Sequence, residues 1–218
     1  DEDEKRHQIQ IARELEPNNP LVMGWAVGQA AVAGRHEEAV ELQAEVARLD
    51  PLSAINRYNL AYHLYAAGRY EDAIAEMRRT LELNPAQEVG LQCFSLVLLR
   101  RFDAAARLAR GMAVGADRLE CEALFRHALG QRAESNAALA ALTEEFGGTE
   151  PFRIAEVHAY RGEADEAFQW LQATSEICRD RSRFPVGCAL PVTRHSPLLA
   201  SLHADIRWAE WSGRASPD

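Results

Sequence analysis

The sequence predicts an all-α solenoid, a row of stacked helix pairs, and three coincident spacings carry that prediction. Three segments close alike, Leu15-Glu16-Pro17, Leu49-Asp50-Pro51 and Leu83-Asn84-Pro85, so that proline recurs twice at 34 residues. Gly34 and Gly68, and likewise Ala39 and Ala73, keep the same 34-residue separation. The text between them rhymes, Gly34-Arg35-His36-Glu37-Glu38-Ala39 against Gly68-Arg69-Tyr70-Glu71-Asp72-Ala73. Self-similarity at such a period marks a repeat array rather than a single globular core.

Each marker has a physical reason. Gly34 and Gly68 supply the backbone freedom that ends one helix and permits a tight turn. Ala39 and Ala73 are small where the second helix of a pair crosses the first closely. Pro51 and Pro85 stop that second helix and open the next without needing an N–H partner.

On these residues the register resembles the tetratricopeptide repeat (TPR), two antiparallel helices in 34 residues. Downstream the echo weakens. Arg101-Phe102-Asp103-Ala104-Ala105 follows Arg69 to Ala73 at a spacing of 32, Gly130-Gln131-Arg132-Ala133-Glu134-Ser135 puts Ser135 at the small position, and Gly162 to Ala167 restores the pattern. The expected organisation is a single array: a half repeat over 5–17, repeats over 20–51, 54–85, 87–114, 117–146 and 151–178, an irregular stretch over 180–196 and a capping helix over 197–211. The resemblance implies a right-handed α-solenoid. The stretch Pro197 to Trp208 is similar to the tail of many bacterial TPR regions, with Ile206 and Trp208 in place of the proline and phenylalanine usual there. Such regions follow a nucleotide cyclase, a winged-helix DNA-binding domain or a kinase. The resemblance therefore implies the regulatory module of a larger bacterial protein, and a chain beginning at Asp1 rather than Met is expected to be an excised piece.

Composition excludes several classes. A net charge of −9 disfavours nucleic acid or an anionic membrane as the direct partner. Only Lys5 among 24 basic residues is lysine, a bias expected of a GC-rich bacterial gene. No apolar run approaches the roughly 20 residues that span a bilayer, and no signal peptide is visible. Cys93, Cys121, Cys178 and Cys188 form no CxxC pair. They are expected as buried thiols in a cytoplasmic protein, the more so because neighbouring helices packing about 8–10 Å apart would hold Cys93 and Cys121 too far apart for a bond.

No chemistry-bearing set emerges. His36-Glu37-Glu38 lacks a second histidine four residues on, so it is read as part of an inter-helix turn. His158, His195, His203, Cys178 and Cys188 match no chelate spacing. Arg179, Arg181 and Arg183 read as a solvated or salt-bridged run. No nucleophile, carboxylate pair or phosphate loop can be assembled, so no enzyme, cofactor or metal is expected.

What remains is a groove for a protein or peptide. In TPR arrays the first helix of each pair lines the concave face. The matching positions are Leu21, Gly24, Gly28 and Ala31; then Ile55, Tyr58, Tyr62 and Tyr65; then Val89, Gln92, Leu96 and Leu99; then Asp117, Glu120, Leu124 and His127. Ile55, Tyr58, Tyr62, Tyr65, Gln92, Glu120 and His127 are the candidate contacts. The alternatives are that the tyrosines pack between helices, or that the array pairs with a second copy through 5–15 and forms a homodimer. The lysine, asparagine and arginine that grip chaperone carboxylates in this family are missing, since Gly24, Gly28, Tyr58, Tyr62 and Gln92 stand there.

Overall fold

The computed structural model describes residues 2–16, 18–87, 90–179 and 193–214. Among them every regular element is helical, in two compact units, residues 1–95 and 96–218. The first unit holds α1 (Glu2–Leu15), α2 (Pro20–Val32), α3 (His36–Leu49), α4 (Ala54–Ala66), α5 (Tyr70–Leu83) and the start of α6 (Gly90–Leu98). The second holds the end of α6, then α7 (Phe102–Gly111), α8 (Ala116–Ala128), α9 (Arg132–Phe146), α10 (Pro151–Arg161) and α11 (Ala164–Arg179). A 3-10 helix (Pro197–Leu202) and α12 (Ile206–Arg214) close it. In each unit successive helices pack on one another, the arrangement of an all-α solenoid.

The turn inside each pair is the same object five times. Gly34, Gly68, Gly130 and Gly162 lie in the left-handed region at φ 71°, 77°, 74° and 78°, and Arg100 joins them at φ 59°. At each, two N–H groups reach back into the preceding helix. Gly34 N donates to Ala31 O and Arg35 N to Ala30 O; Arg100 N donates to Val97 O and Arg101 N to Leu96 O. These bonds satisfy carbonyls a helix end would otherwise leave open. The helix that follows starts without a side-chain cap in α3, α5, α7 and α9. Acidic residues fill its first turn instead, Glu37 and Glu38 in α3, Glu71 and Asp72 in α5, complementing the helix dipole. The first helices of the first two pairs, α2 and α4, are capped: Asn19 accepts from Leu21 N at 2.9 Å ahead of Pro20, and Ser53 accepts from Asn56 N at 3.3 Å.

Five residues after each turn sits the small side chain of the crossing. Ala39, Ala73, Ala105, Ser135 and Ala167 have no exposed surface. Ser135 keeps its hydroxyl there by donating to Ala123 O at 2.7 Å. Around these points the first unit buries Met23, Val27, Leu64, Ile74 and Met77, and the second Leu124, Leu142, Ile154 and Leu171. Burial of each large side chain stabilises by about 1.5–3 kcal/mol.

Several expectations are corrected. The leading helix begins at Glu2 rather than Lys5. The tail is two short helices, not one, because Ser196 and Pro197 open the first and Asp205 Oδ1 accepts from Arg207 N at 2.9 Å to open the second. That break changes the helical phase. Leu198, Leu199 and Leu202 are buried, but Ile206 is 91% exposed and Trp211 takes the inward place expected for it. Trp211 packs with Leu199 and Leu202 on Ala167 and Leu171, and its indole N–H reaches Leu171 O at 3.2 Å. The thiols are also corrected: Cys93, Cys121 and Cys178 are each disulfide-bonded, and no free cysteine is found among the described residues. Helix axes about 8–10 Å apart can still bring facing Cα atoms, each about 2.3 Å off its axis, to the roughly 5–6 Å a disulfide needs. Cys188, Arg181, Arg183 and residues 180–192 generally lie outside the described residues.

Candidate interaction face on the first unit

The sequence of α2, Pro-Leu-Val-Met-Gly-Trp-Ala-Val-Gly-Gln-Ala-Ala-Val, carries no charge, so nothing in it forces a water-facing side. Val22, Met23, Ala26, Val27 and Ala30 turn inward. The opposite stripe, Leu21, Gly24, Trp25 and Gly28 at i, i+3, i+4 and i+7, faces solvent, with Leu21 60% and Trp25 52% exposed. A Cβ placed on Gly24 or Gly28 would meet nothing within 4 Å, so both glycines form an open shelf beside the indole.

α4, packed like α2 on α3, repeats the arrangement. Ile55 is 60% exposed, and Tyr58 and Tyr62 are half-buried. The inner side of α4 is held by polar contacts as well as packing. Gln43 Nε2 donates to Asn56 O at 3.0 Å from α3, and Arg57 pairs with Glu76 of α5 at 3.2 Å. His63, buried beside Tyr62 at a ring distance of 5.7 Å, is pushed down to about 4 by burial first and by the charge of His36 second. It is neutral at ordinary pH.

The other expected contacts go elsewhere. Tyr65 is 3% exposed and packs on Tyr70 with ring centroids 6.0 Å apart, so it belongs to the core of the helix pair and offers no surface to a ligand. Gln92 is half-buried on α6. Glu120 has no exposed surface; an interior ion cluster of the second unit takes it. His127 stands in the second unit against Tyr160, with burial lowering its pKa and Arg161 adding to the effect. Leu96 and Leu124 are buried and Val89 lies outside the described residues. Trp25 was missed. Stepping along α2 at i, i+3, i+7 and i+10 skips i+4, and a helix stripe includes it.

The second unit has an open depression of about 650 Å³ lined in part by Asn136, His158, Arg161, Glu163 and Trp170. Its charges pair with one another: Glu163 accepts from His158 Nδ1 at 2.7 Å and meets Arg161 Nε at 3.1 Å. Among the described residues no group of three His, Cys, Asp or Glu side chains could hold a metal ion, and no helix is long and apolar enough to cross a membrane.

No family model matches the chain. Over 78 residues it is 27% identical to the small glutamine-rich tetratricopeptide repeat-containing protein 2 of Mycosarcoma maydis. The match covers 36% of this chain, and the chain spans only 22% of that protein. Together with the repeated turn and crossing, the likeness gives the chain TPR-like character.

Proposed function

We propose that the chain is a protein- or peptide-binding scaffold and that the stripes on α2 and α4 form its contact face. The observation that carries this is the exposure of Leu21, Trp25 and Ile55 beside the bare shelf of Gly24 and Gly28. Aromatic side chains that hold their shape and lie open are the usual centres of binding energy, while glycine lets a ligand backbone approach. The stripes are uncharged and the chain carries −9, which favours a ligand with apolar side chains and neutral or basic flanks. The TPR-like repeat supports the same reading, including a place as the regulatory module of a larger protein. Self-association is the second reading, favoured by Leu15 at 77% and Ile11 at 38% exposure on α1. The three disulfide-bonded cysteines favour an oxidising environment over the cytoplasm expected from the sequence.

The test is a displayed library of random peptides panned on the full chain. Selected peptides should protect amides of α2 and α4 from hydrogen exchange. Recovery of no peptide, or protection confined to the second unit, would overturn the assignment, and a concentration-dependent mass in light scattering would favour self-association.

A further inference from the structure

The second unit's interior holds more acid than one cation can neutralise. Glu120 of α8 and Glu156 of α10 are both buried, and α8 packs on α10. Arg153 is the guanidinium they share. Its Nη1 lies 2.9 Å from Glu120 Oε2 and 2.6 Å from Asp117 Oδ1, and its Nε donates to Glu150. Three carboxylates thus meet one guanidinium, and Glu156 adds a fourth buried acid nearby. Glu120 Oε1 is buried and receives no N–H or hydroxyl, and a side-chain hydrogen bond joins the Glu120 and Glu156 carboxyls. Two ionised carboxylates so placed repel, whereas one proton between them turns the contact into a hydrogen bond.

Glu156 also holds the closing segment. Ser196 donates its hydroxyl to Glu156 Oε1, and Ser196 Oγ caps the 3-10 helix by accepting from Leu198 N at 3.4 Å. The same carboxyl therefore touches α8 on one side and the entrance to residues 197–202 on the other.

We propose that Glu120 and Glu156 hold one proton between them at neutral pH and act as a pH-sensitive latch, fastening α8, α10 and the closing segment until alkali removes the proton. Among the described residues, the groups acting on the pair are Asp117 from α8, Arg153 from α10 and Ser196 from the closing segment; α9 and α11, which also pack on α10, add none. Burial is the largest influence on both acids. It pushes Glu156 up to about 7 and, with the charge of Glu156, holds Glu120 well above the carboxylate range, against the pull of Arg153.

The sign follows. The folded chain keeps a proton that the unfolded chain, with a glutamate near 4.3, has released. The stability this gives is complete below that value, begins to fall as pH rises through about 7, where Glu156 titrates, and is gone only above the higher value of Glu120.

The experiment compares the full chain with Glu156→Gln, a neutral isostere, by urea unfolding at about pH 5.5 and about pH 8. His63 titrates in both proteins, so its effect cancels in the difference. The variant should be no more stable than wild type at the lower pH and more stable at the higher. A constant offset at both pH values would mean that the pair does not titrate between them, and would overturn the latch. If Glu156→Gln does not fold, hydrogen exchange over 197–202 in the wild-type chain decides. After correction for intrinsic base catalysis, opening should rise roughly tenfold for each pH unit gained above the transition. Opening independent of pH would overturn the proposal.

Discussion

Arg100 occupies, at φ 59°, the left-handed turn position that Gly68 fills at φ 77° one repeat earlier. The same pair of backbone hydrogen bonds closes both turns. A residue with a Cβ pays about 1–2 kcal/mol for that conformation.

Arg100→Gly should therefore stabilise the chain by about 1 kcal/mol, part of the relief being offset by the entropy of glycine in the unfolded state. A urea midpoint higher than wild type, at unchanged slope, is the expected result.

Ala73 stands at a crossing with no exposed surface, between α4 and α5. Ala73→Leu forces extra volume into that contact and should cost about 1–3 kcal/mol. The same substitution at exposed Ala75 should change the midpoint little, and the pair of melts separates crowding from helix propensity.

His63 sets the acid limit of the first unit. Its folded pKa, about 4, lies below the ordinary 6.5, so the folded form binds fewer protons than the unfolded one between those values. Stability is complete above about 6.5 and is lost as pH falls toward 4, by up to roughly 3 kcal/mol. His63→Gln should flatten that limb of the pH profile when unfolding is followed at pH 4.5 and pH 7.

Maleimide labelling in denaturant tests the sulfur assignments. Cys93, Cys121 and Cys178 are engaged, so the unreduced chain should take up no more than one label and the reduced chain four. Mass spectrometry reads the difference directly.

The repeat was legible because its signals are local. Gly34, Gly68 and the small Ala39 and Ala73 state in residue type what the turn and the crossing require. Arg100 states nothing of the kind, since its conformation is imposed by the helices on either side. The phase of α2 and α4 leaves Ile55 exposed and Tyr58 and Tyr62 half-buried, yet it turned Tyr65 outward too. One further turn brings that ring against Tyr70 of the partner helix, a tertiary contact no periodicity reveals. Glu120 was misread for a related reason. An acid in a helix is ordinarily a surface residue, and only the arrival of Arg153 and Glu156 from α10 makes an interior place tenable. In the tail, the turn at Asp205 shifted the phase and exchanged Ile206 for Trp211.

The binding face is tested most directly by calorimetry with a library-selected peptide on wild type, on Trp25→Ala and on the pair Tyr58→Ala and Tyr62→Ala. Trp25 is half-exposed and Tyr58 and Tyr62 are only partly buried, so far-ultraviolet circular dichroism and melting should stay close to wild type. Truncation at a centre of binding energy costs about 2 kcal/mol or more, which weakens the peptide roughly thirtyfold. Loss of that size in both variants with the fold intact is the result this account predicts. Unchanged affinity in both would contradict it.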